Sequence, residues 1–402
     1  MRNPESTADP LPPSLLFLLA AAAGIMVANI YYNQPVLGLL AHEFGADGAE
    51  IGMVPVLTQV GYALGLLLLS PLGDRVERKR LILVTASALT VALTVAALAP
   101  SLSVLAAAGL GVGLLATVTQ QVVPLAAQLA PEARRGRSVG TVMMGLLLGI
   151  LLARTVSGFV AELAGWRAAF WGGVALTLVM TLALWARLPR VAPSVRLSYP
   201  RLMRSLLDLF LTHPVLRRGA LVQALQFAAF SVFWSVLALK LQAPPLHLGS
   251  SVAGLFGVIG AAGALMAPLA GRLADRRGPR FLIVGGAAAV GLAFVPMALW
   301  PNSLTALVVG VLVMDVGAQA AMVSNQTRIY ALDAAARSRL NTVYMTVMFT
   351  GGALGSALGA QAWAGWGWGG VCVLGGGLGL AAAAVEGLAR GNGMRADQAR
   401  GA

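Results

Sequence analysis

The chain has 402 residues, of which 58% are hydrophobic and only 11% charged, with a mean hydropathy of +0.81 and a net charge of +13. A soluble domain carries about 25% charged residues, so this composition excludes an ordinary water-soluble protein and favours lipid as the solvent. The basic residues lie in short blocks between apolar stretches, as in Arg75, Arg78, Lys79 and Arg80. That placement is typical of the inner side of membrane proteins and argues against a nucleic-acid partner.

Twelve apolar segments follow one another along the chain, each long enough for a membrane-spanning helix. They lie at about residues 14–40, 50–72, 81–99, 102–130, 138–162, 168–188, 219–241, 249–270, 281–300, 302–330, 340–362 and 369–389. We therefore predict an all-α integral membrane protein with twelve transmembrane helices. Because 25 of the 28 lysines and arginines fall on one side of this topology, both termini are predicted to be cytoplasmic, at the inner (plasma) membrane of a bacterial-type cell.

The two halves of the chain resemble each other. The loop PLGDRVERKRLILV after the second span matches PLAGRLADRRGPRFLIV after the eighth, and their aspartates are Asp74 and Asp275. This repeat predicts two pseudo-symmetric six-helix bundles with the solute site between them at mid-membrane. The predicted parts are a cytoplasmic tail (1–13), a bundle (14–188), a linker (189–218), a second bundle (219–389) and a tail (390–402). Within the linker, YPRLMRSLLDLFLTH is interpreted as a tether, with an amphipathic helix on the inner leaflet as the alternative.

The loop from Gly271 to Arg280, GRLADRRGPR, resembles the loop signature of the major facilitator superfamily. The first copy departs from it, with Ser70 and Glu77 where glycines are expected. The resemblance implies alternating-access transport, with the loop steadying one access state; the alternative is that its charges only fix the topology. The residues expected to form this latch are Asp74, Arg75, Arg78, Gly271, Asp275, Arg276, Gly278 and Arg280.

A narrower resemblance concerns the first and fifth spans. ANIYYNQP at 28–35 and the intramembrane arginine of LLARTVSG are similar to bacterial drug and sugar efflux permeases. Exporters of that group often carry G-x-x-x-G-P-x-x-G-G in the fifth span. Here Gly145 and Gly149 are present, but Ile150 replaces the proline and Arg154 replaces the last glycine.

Ionisable residues inside a bilayer are functional candidates because they are costly unless paired or facing water. Two stand out: Arg154 in the fifth span and Asp315 near the middle of the tenth. Asp315 could carry a proton or make a structural hydrogen bond. Arg154 cannot deprotonate, so it could bind an anion, pair with Asp315 or bond helix carbonyls.

Polar and aromatic residues at helical spacing indicate the faces that line a solute cavity. In the superfamily, spans 1, 4, 7 and 10 line this cavity. The mixture of side chains favours an uncharged or amphiphilic organic solute. The predicted cavity residues are Asn29, Tyr32, Asn33, Gln120, Gln223, Gln226, Phe230, Gln319, Met322 and Asn325.

The leading hypothesis is a proton-coupled exporter of a small organic solute, acting as a monomer. The first alternative is an uptake symporter or uniporter for a metabolite, including an anionic one, which Arg154 would favour. An alternative of another class is a receptor or scaffold without transport. No phosphate loop, nucleophile with a base, or metal-ligand spacing occurs, so we predict neither an enzyme nor a cofactor.

Overall fold

The computed structural model describes residues 12–191, 198–265, 278–333 and 336–389. Within those ranges the chain is helical and contains no β-strand. In chain order the helices are α1 (Pro13–Ala28), α2 (Leu37–Phe44), α3 (Gly48–Ile51), α4 (Met53–Leu68), α5 (Arg78–Ala97), α6 (Leu102–Ala116), α7 (Thr119–Leu129), α8 (Arg135–Ala164), α9 (Trp166–Arg187), α10 (Tyr199–Thr212), α11 (Pro214–Gln242), α12 (Ser250–Leu265), α13 (Pro279–Leu292), α14 (Phe294–Leu299), α15 (Leu304–Tyr330) and α16 (Arg337–Leu388).

The helices account for all twelve predicted spans. Within the described ranges, nine helical stretches are long and apolar enough to cross a membrane, and two shorter apolar helices, Pro13–Ala28 and Ser250–Gly260, match the first and eighth spans. One of the nine, α16, has 52 residues and covers both the eleventh and twelfth spans. The prediction of an all-α membrane fold is confirmed.

A glycine divides α16 between its two spans. Gly367 has φ 60° and ψ −153°. This backbone conformation is not helical, and residues other than glycine rarely adopt it. It lies between the predicted spans 340–362 and 369–389. The long helix is therefore two helices joined at one residue.

The chain forms two compact units. The first contains Met1–Ala46, Met53–Leu202 and Leu248–Val258, and the second contains Asp47–Gly52, Met203–His247 and Ile259–Ala402. The main division, between residues 202 and 203, falls inside the stretch that the sequence marks as a linker.

In the first unit, α1 and α8 are in direct backbone contact. A methyl group added at Gly149 would collide with the carbonyl oxygen of Gly24, and one added at Gly145 would collide with that of Ala20. Lipid gives helices no hydrophobic reason to associate, so close packing of small residues holds such pairs together. The two exporter-motif glycines that this chain retains therefore serve the contact between α1 and α8.

The second unit repeats this contact with α11 and α16. A methyl group at Gly351 would collide with the carbonyl oxygen of Ala224, and one at Gly355 with that of Ala228. Gly351 and Gly355 follow Gly145 and Gly149 by the same 206 positions in the sequence. The internal repeat thus extends from the loops to the helix packing.

Candidate functional site

The first predicted span is interrupted at its middle. α1 ends at Ala28 and α2 begins at Leu37, so the intervening residues of ANIYYNQP form buried turns. Short-range backbone bonds close these turns, for example from Tyr31 N to the carbonyl oxygen of Ala28 at 3.0 Å. Pro35 has no N–H with which to continue a helix. The expectation of one continuous helix over 14–40 is therefore wrong here, and the break brings polar groups into the interior of the first unit.

Arg154 on α8 lies beside this break. Its side chain is only 3% exposed, and its Nε donates a hydrogen bond of 2.7 Å to Gln34 Oε1. Its guanidinium carbon lies 4.5 Å from the centre of the Tyr31 ring. An amide oxygen and the negative face of an aromatic ring both stabilise a cation without neutralising it. The ANIYYNQP segment therefore provides contacts for the buried charge on the fifth span.

The three predicted cavity residues of the first span contact neighbouring helices within the first unit. Asn29 Nδ2 donates to the carbonyls of the last turn of α1 and, at 3.3 Å, to Thr177 Oγ1 on α9. Asn33 Nδ2 donates to Thr58 Oγ1 on α4 at 3.0 Å. Tyr32 is buried, with its ring against Gly173 of α9. These side chains join the helices around the break.

The fourth span is also interrupted, between α6 and α7. Gln120 follows the break, is half-buried, and donates from Nε2 to the hydroxyl oxygen of Tyr62 at 3.1 Å. The neighbouring Gln121 is buried and bonds the carbonyls of Leu69 and Ser70 at the end of the second span. Gln120 is therefore the more accessible of the two glutamines.

Asp315 lies near the middle of α15 in the second unit, and its side chain is 7% exposed. A methyl group at Gly260 of α12 would stand 2.8 Å from Asp315 Oδ2 and 3.6 Å from Cζ2 of Trp234. The absence of a side chain at position 260 thus lets the carboxylate approach the backbone of α12. Asp315 is therefore buried within a helix long enough to cross a membrane.

An aromatic row on α11 continues from Trp234. The Phe230 ring lies 5.8 Å from Trp234 and 5.7 Å from Phe227, with which it is nearly parallel. Phe349 of α16 meets Phe227 edge to face at 5.0 Å. Phe227 and Phe230 are half-buried, whereas Trp234 is buried. The row presents two flat apolar surfaces that a solute could contact.

The remaining predicted cavity residues of the second unit fall into two groups. Gln223 accepts a 3.0 Å hydrogen bond from the Tyr344 hydroxyl, Gln226 contacts the carbonyl of Gly317, and Asn325 donates to the carbonyl of Gly219 at 2.7 Å. These three are buried and tie α11 to its neighbours. Two others remain half-buried on α15, Gln319 and Met322.

The latch residues are described only in part. Gly271, Asp275 and Arg276, and the side chain of Asp74, lie outside the described residues. Arg75 is exposed and follows the end of a short 3-10 helix, Ser70–Asp74. Arg78 is buried at the first position of α5, and Gly278 precedes α13 with φ 81°. Arg280 donates to the carbonyls of Gly387 and Ala389 at 2.9 and 2.8 Å, so it caps the end of α16.

The family profile described as Major Facilitator Superfamily matches residues 16–360. The chain belongs to the Major Facilitator Superfamily. It is 42% identical over 365 residues to the "Uncharacterized transporter YgaY" of Escherichia coli O157:H7, covering 91% of this chain and 93% of that protein. It is 36% identical over 381 residues to the "Probable transporter SCO4007" of Streptomyces coelicolor, covering 92% and 86%. The solved structure of the nucleoside transporter NupG superposes with a TM-score of 0.75 at 15% identity, covering 93% of this chain and 99% of that one.

As a Major Facilitator Superfamily member, the chain is a multi-pass membrane transporter, not an enzyme. Sequence reasoning found two of the buried charged residues, Arg154 and Asp315, but missed the partners of Arg154, which are Tyr31 and Gln34. Both belong to the same ANIYYNQP motif as the residues chosen for the cavity. It also missed Glu386 near the end of α16, although an acid closing an apolar span was a visible signal.

Proposed function

We propose that this superfamily member is a secondary active transporter that exports a small organic solute by alternating access, coupled to protons. It would act as a monomer in the inner membrane with both termini in the cytoplasm. The resemblance of ANIYYNQP to efflux permeases supports export as the direction of transport. The basic loops support the orientation with both termini in the cytoplasm.

The location of Asp315 is the main support for proton coupling. Asp315 is a carboxylate in the middle of a membrane-length helix, in a part of the second unit where Gly260 lets it approach the α12 backbone and Trp234 supplies an apolar wall. A carboxylate in such a place changes its proton affinity when the water around it changes. Alternating access changes which side of the membrane supplies that water, so protonation and conformation become linked.

The half-buried side chains support an uncharged or amphiphilic solute. In the second unit they are two flat aromatic surfaces, Phe227 and Phe230, a flexible thioether, Met322, and an amide, Gln319. In the first unit the half-buried amide is Gln120. Apolar contact with a few hydrogen bonds is the usual composition of a small-molecule site.

The loop signature is proposed as the latch between access states, centred on Asp74 with Arg75 and on Asp275 with Arg276. Asp275→Ala should impair transport while membrane insertion stays normal, and Asp74→Ala should act similarly but less severely. Normal transport in both variants would reduce these loops to signals of topology.

Everted membrane vesicles test the coupling. Respiration acidifies their interior and quenches an acridine dye, and a solute exported in exchange for protons restores the fluorescence. A panel of labelled sugars, weak acids and aromatic amines identifies the responding solute. Asp315→Asn should abolish the fluorescence response and gradient-driven accumulation but retain solute exchange, because the amide keeps the shape and loses titration. Asp208→Asn, at an exposed position on α10, is the matched control.

A fluorescence response of wild-type size in Asp315→Asn would exclude Asp315 as the proton carrier. If solute flux through the wild-type protein does not depend on the pH gradient, the protein is a uniporter and not a proton-coupled transporter. If the protein inserts and binds solute but shows no flux, the alternative of a receptor without transport is favoured.

Arg154 favours a second candidate, uptake of an anionic metabolite. A guanidinium held by Gln34 and Tyr31 inside the first unit is a permanent positive charge that could meet a carboxylate or phosphate. Arg154→Gln should then raise the KM for anionic solutes at least ten-fold and leave neutral solutes nearly unchanged. Arg187→Gln, at an exposed position near the end of α9, is the control. An equal loss for anionic and neutral solutes would leave Arg154 a structural role.

A further inference from the structure

The segment between the two repeats contains a well-formed helix with an exposed apolar stripe. α10 buries Leu202 and Leu206, one turn apart, whereas Leu207 and Leu211 are 56% and 57% exposed. Residues four apart lie on one face of a helix, so the two exposed leucines form a continuous stripe beside the buried one. A tether needs no exposed leucines, so that role does not explain this stripe.

Charged residues border the stripe. Arg204 precedes Leu207 by three positions and therefore lies on the same side of the helix, and both Arg204 and Arg201 are exposed. From residue 187 to residue 218 the sequence contains seven arginines and a single acid, Asp208. A stripe of leucine flanked by arginine complements a surface that is apolar inside and negatively charged outside, as an anionic bilayer is.

Hydrogen bonds hold each end of α10 at the end of a membrane-length helix. The Tyr199 hydroxyl donates to the carbonyl of Leu68, the last residue of α4, at 3.0 Å. Arg217, in the first turn of α11, donates to the carbonyls of Phe210 and Leu211. Spanning helices end where hydrocarbon gives way to lipid headgroups. Each end of α10 therefore lies beside the end of a membrane-length helix, where the lipid headgroups begin.

We propose that α10 is an interfacial helix that inserts Leu207 and Leu211 into the inner leaflet and binds anionic phospholipid headgroups through Arg201 and Arg204. The inference rests on the cytoplasmic placement of the linker proposed above, but not on the solute or on proton coupling. Its partner is the lipid surface itself, so transport assays do not decide it.

Depth measurement tests the apolar stripe in the full chain. Leu211→Cys and Thr212→Cys carry a bimane fluorophore in nanodiscs; both positions are exposed but lie about 100° apart around the helix. Cys372, the chain's single native cysteine, is buried. Lipids with nitroxide on the acyl chain should quench the label at 211 several-fold more than the label at 212, and aqueous iodide should do the reverse. Equal iodide quenching at both positions would overturn insertion. A label at 211 that neither quencher reaches would show that protein covers the stripe and would also overturn it.

Lipid composition tests the arginines. Nanodiscs are formed from an equal mixture of phosphatidylcholine and phosphatidylglycerol, and the lipids that stay with the released protein are counted by native mass spectrometry. Arg201→Gln with Arg204→Gln should weaken phosphatidylglycerol retention by roughly five-fold per arginine. Arg134→Gln with Arg137→Gln removes the same charge from exposed positions outside α10 and should have a smaller effect. Equal loss in both pairs would mean general charge attraction and would contradict a site on α10.

Discussion

Arg328 on α15 donates to both carboxylate oxygens of Glu386 near the end of α16, and the Glu386 side chain has no exposed surface. Arg218 at the start of α11 approaches the same carboxylate, with Nε 3.3 Å from Oε2. Arg328 also donates to Asn325 Oδ1 at 2.9 Å, which orients the amide that bonds the carbonyl of Gly219. One acid thus connects three helices of the second unit and fixes the orientation of a predicted cavity residue.

Glu386→Gln should lower the free energy of unfolding by about 3–5 kcal/mol, because it leaves the guanidinium of Arg328, whose side chain is only 16% exposed, without its carboxylate. Thermal unfolding in detergent measures the loss. Glu132→Gln, at an exposed acid near the start of α8, should change little. If Glu386→Gln unfolds at the wild-type temperature, the carboxylate is not what satisfies Arg328.

The paired glycine contacts predict that the same substitution has different effects at different glycines of α8 and of α16. Gly149→Ala and Gly355→Ala add a methyl group against backbone and should destabilise the protein by about 1–3 kcal/mol. Gly140→Ala on α8 and Gly377→Ala on α16 meet no atom within 4 Å and should be neutral or slightly stabilising, because alanine is the better helix former. A similar change at all four sites would mean that the backbones do not touch.

Much of the fold followed from the sequence because lipid imposes a simple rule on it. Each span needs an apolar run, and each inner connection attracts arginine and lysine, so hydropathy and charge marked all twelve spans. The interruption at residues 29–36 was missed because apolar residues flank it on both sides, so the whole stretch reads as one span. Its local signals were Pro35 and the three amides Asn29, Asn33 and Gln34.

Side-chain partners were harder to predict for a different reason. Gln34 and Tyr31 lie 120 or more positions from Arg154, and their contact depends on which helices become neighbours and how each is rotated. Apolar composition specifies neither, since small residues allow several pairings in lipid. Asp315 and Arg154 were found because a charged residue inside an apolar segment can be recognised without knowing which helices are neighbours. Whether they pair stays a prediction.

An ion pair between Glu43 at the end of α2 and Arg167 at the start of α9 predicts a dependence of stability on pH. The hydrogen bond from Arg167 holds the pKa of Glu43 below its ordinary value of 4.5, and Trp166 donates to the same carboxylate. Because the pKa of Glu43 is lower in the folded than in the unfolded protein, its carboxylate stabilises the fold at a pH above 4.5. This contribution is lost as the pH falls through the lower pKa of the folded protein. The Glu43 side chain is 40% exposed, so the contribution should stay below about 1 kcal/mol.

Glu43→Gln removes that dependence. The unfolding temperature of the wild-type protein should exceed that of the variant at pH 7, and the difference should vanish as the pH falls below 4.5. His42→Gln, next to it at an exposed position, should leave the difference in place. If the difference in unfolding temperature grows as the pH falls, then it is the protonated form of Glu43, and not the carboxylate, that stabilises the folded protein.

Cysteine labelling checks the topology. Cys372 is the chain's single cysteine and is buried, so new thiols can be measured against a low background. A membrane-impermeant maleimide should label His42→Cys in intact cells and Asp208→Cys only in everted vesicles. Labelling of both from the same side would contradict the twelve-span topology.

The contacts of Arg154 in the first unit can be separated by matched substitutions. Gln34→Leu removes the acceptor of a hydrogen bond from a charged donor and should lower the free energy of unfolding by about 1–3 kcal/mol. Tyr31→Phe keeps the ring beneath the guanidinium and should be nearly neutral, whereas Tyr31→Leu removes it and should lower the free energy by about 0.5–2 kcal/mol. Thermal unfolding in detergent measures all three. Equal effects of Tyr31→Phe and Tyr31→Leu would show that the aromatic face does not stabilise the cation.

In an Arg154→Met background, Gln34→Leu should lose most of its effect, because the amide then has no cation to stabilise.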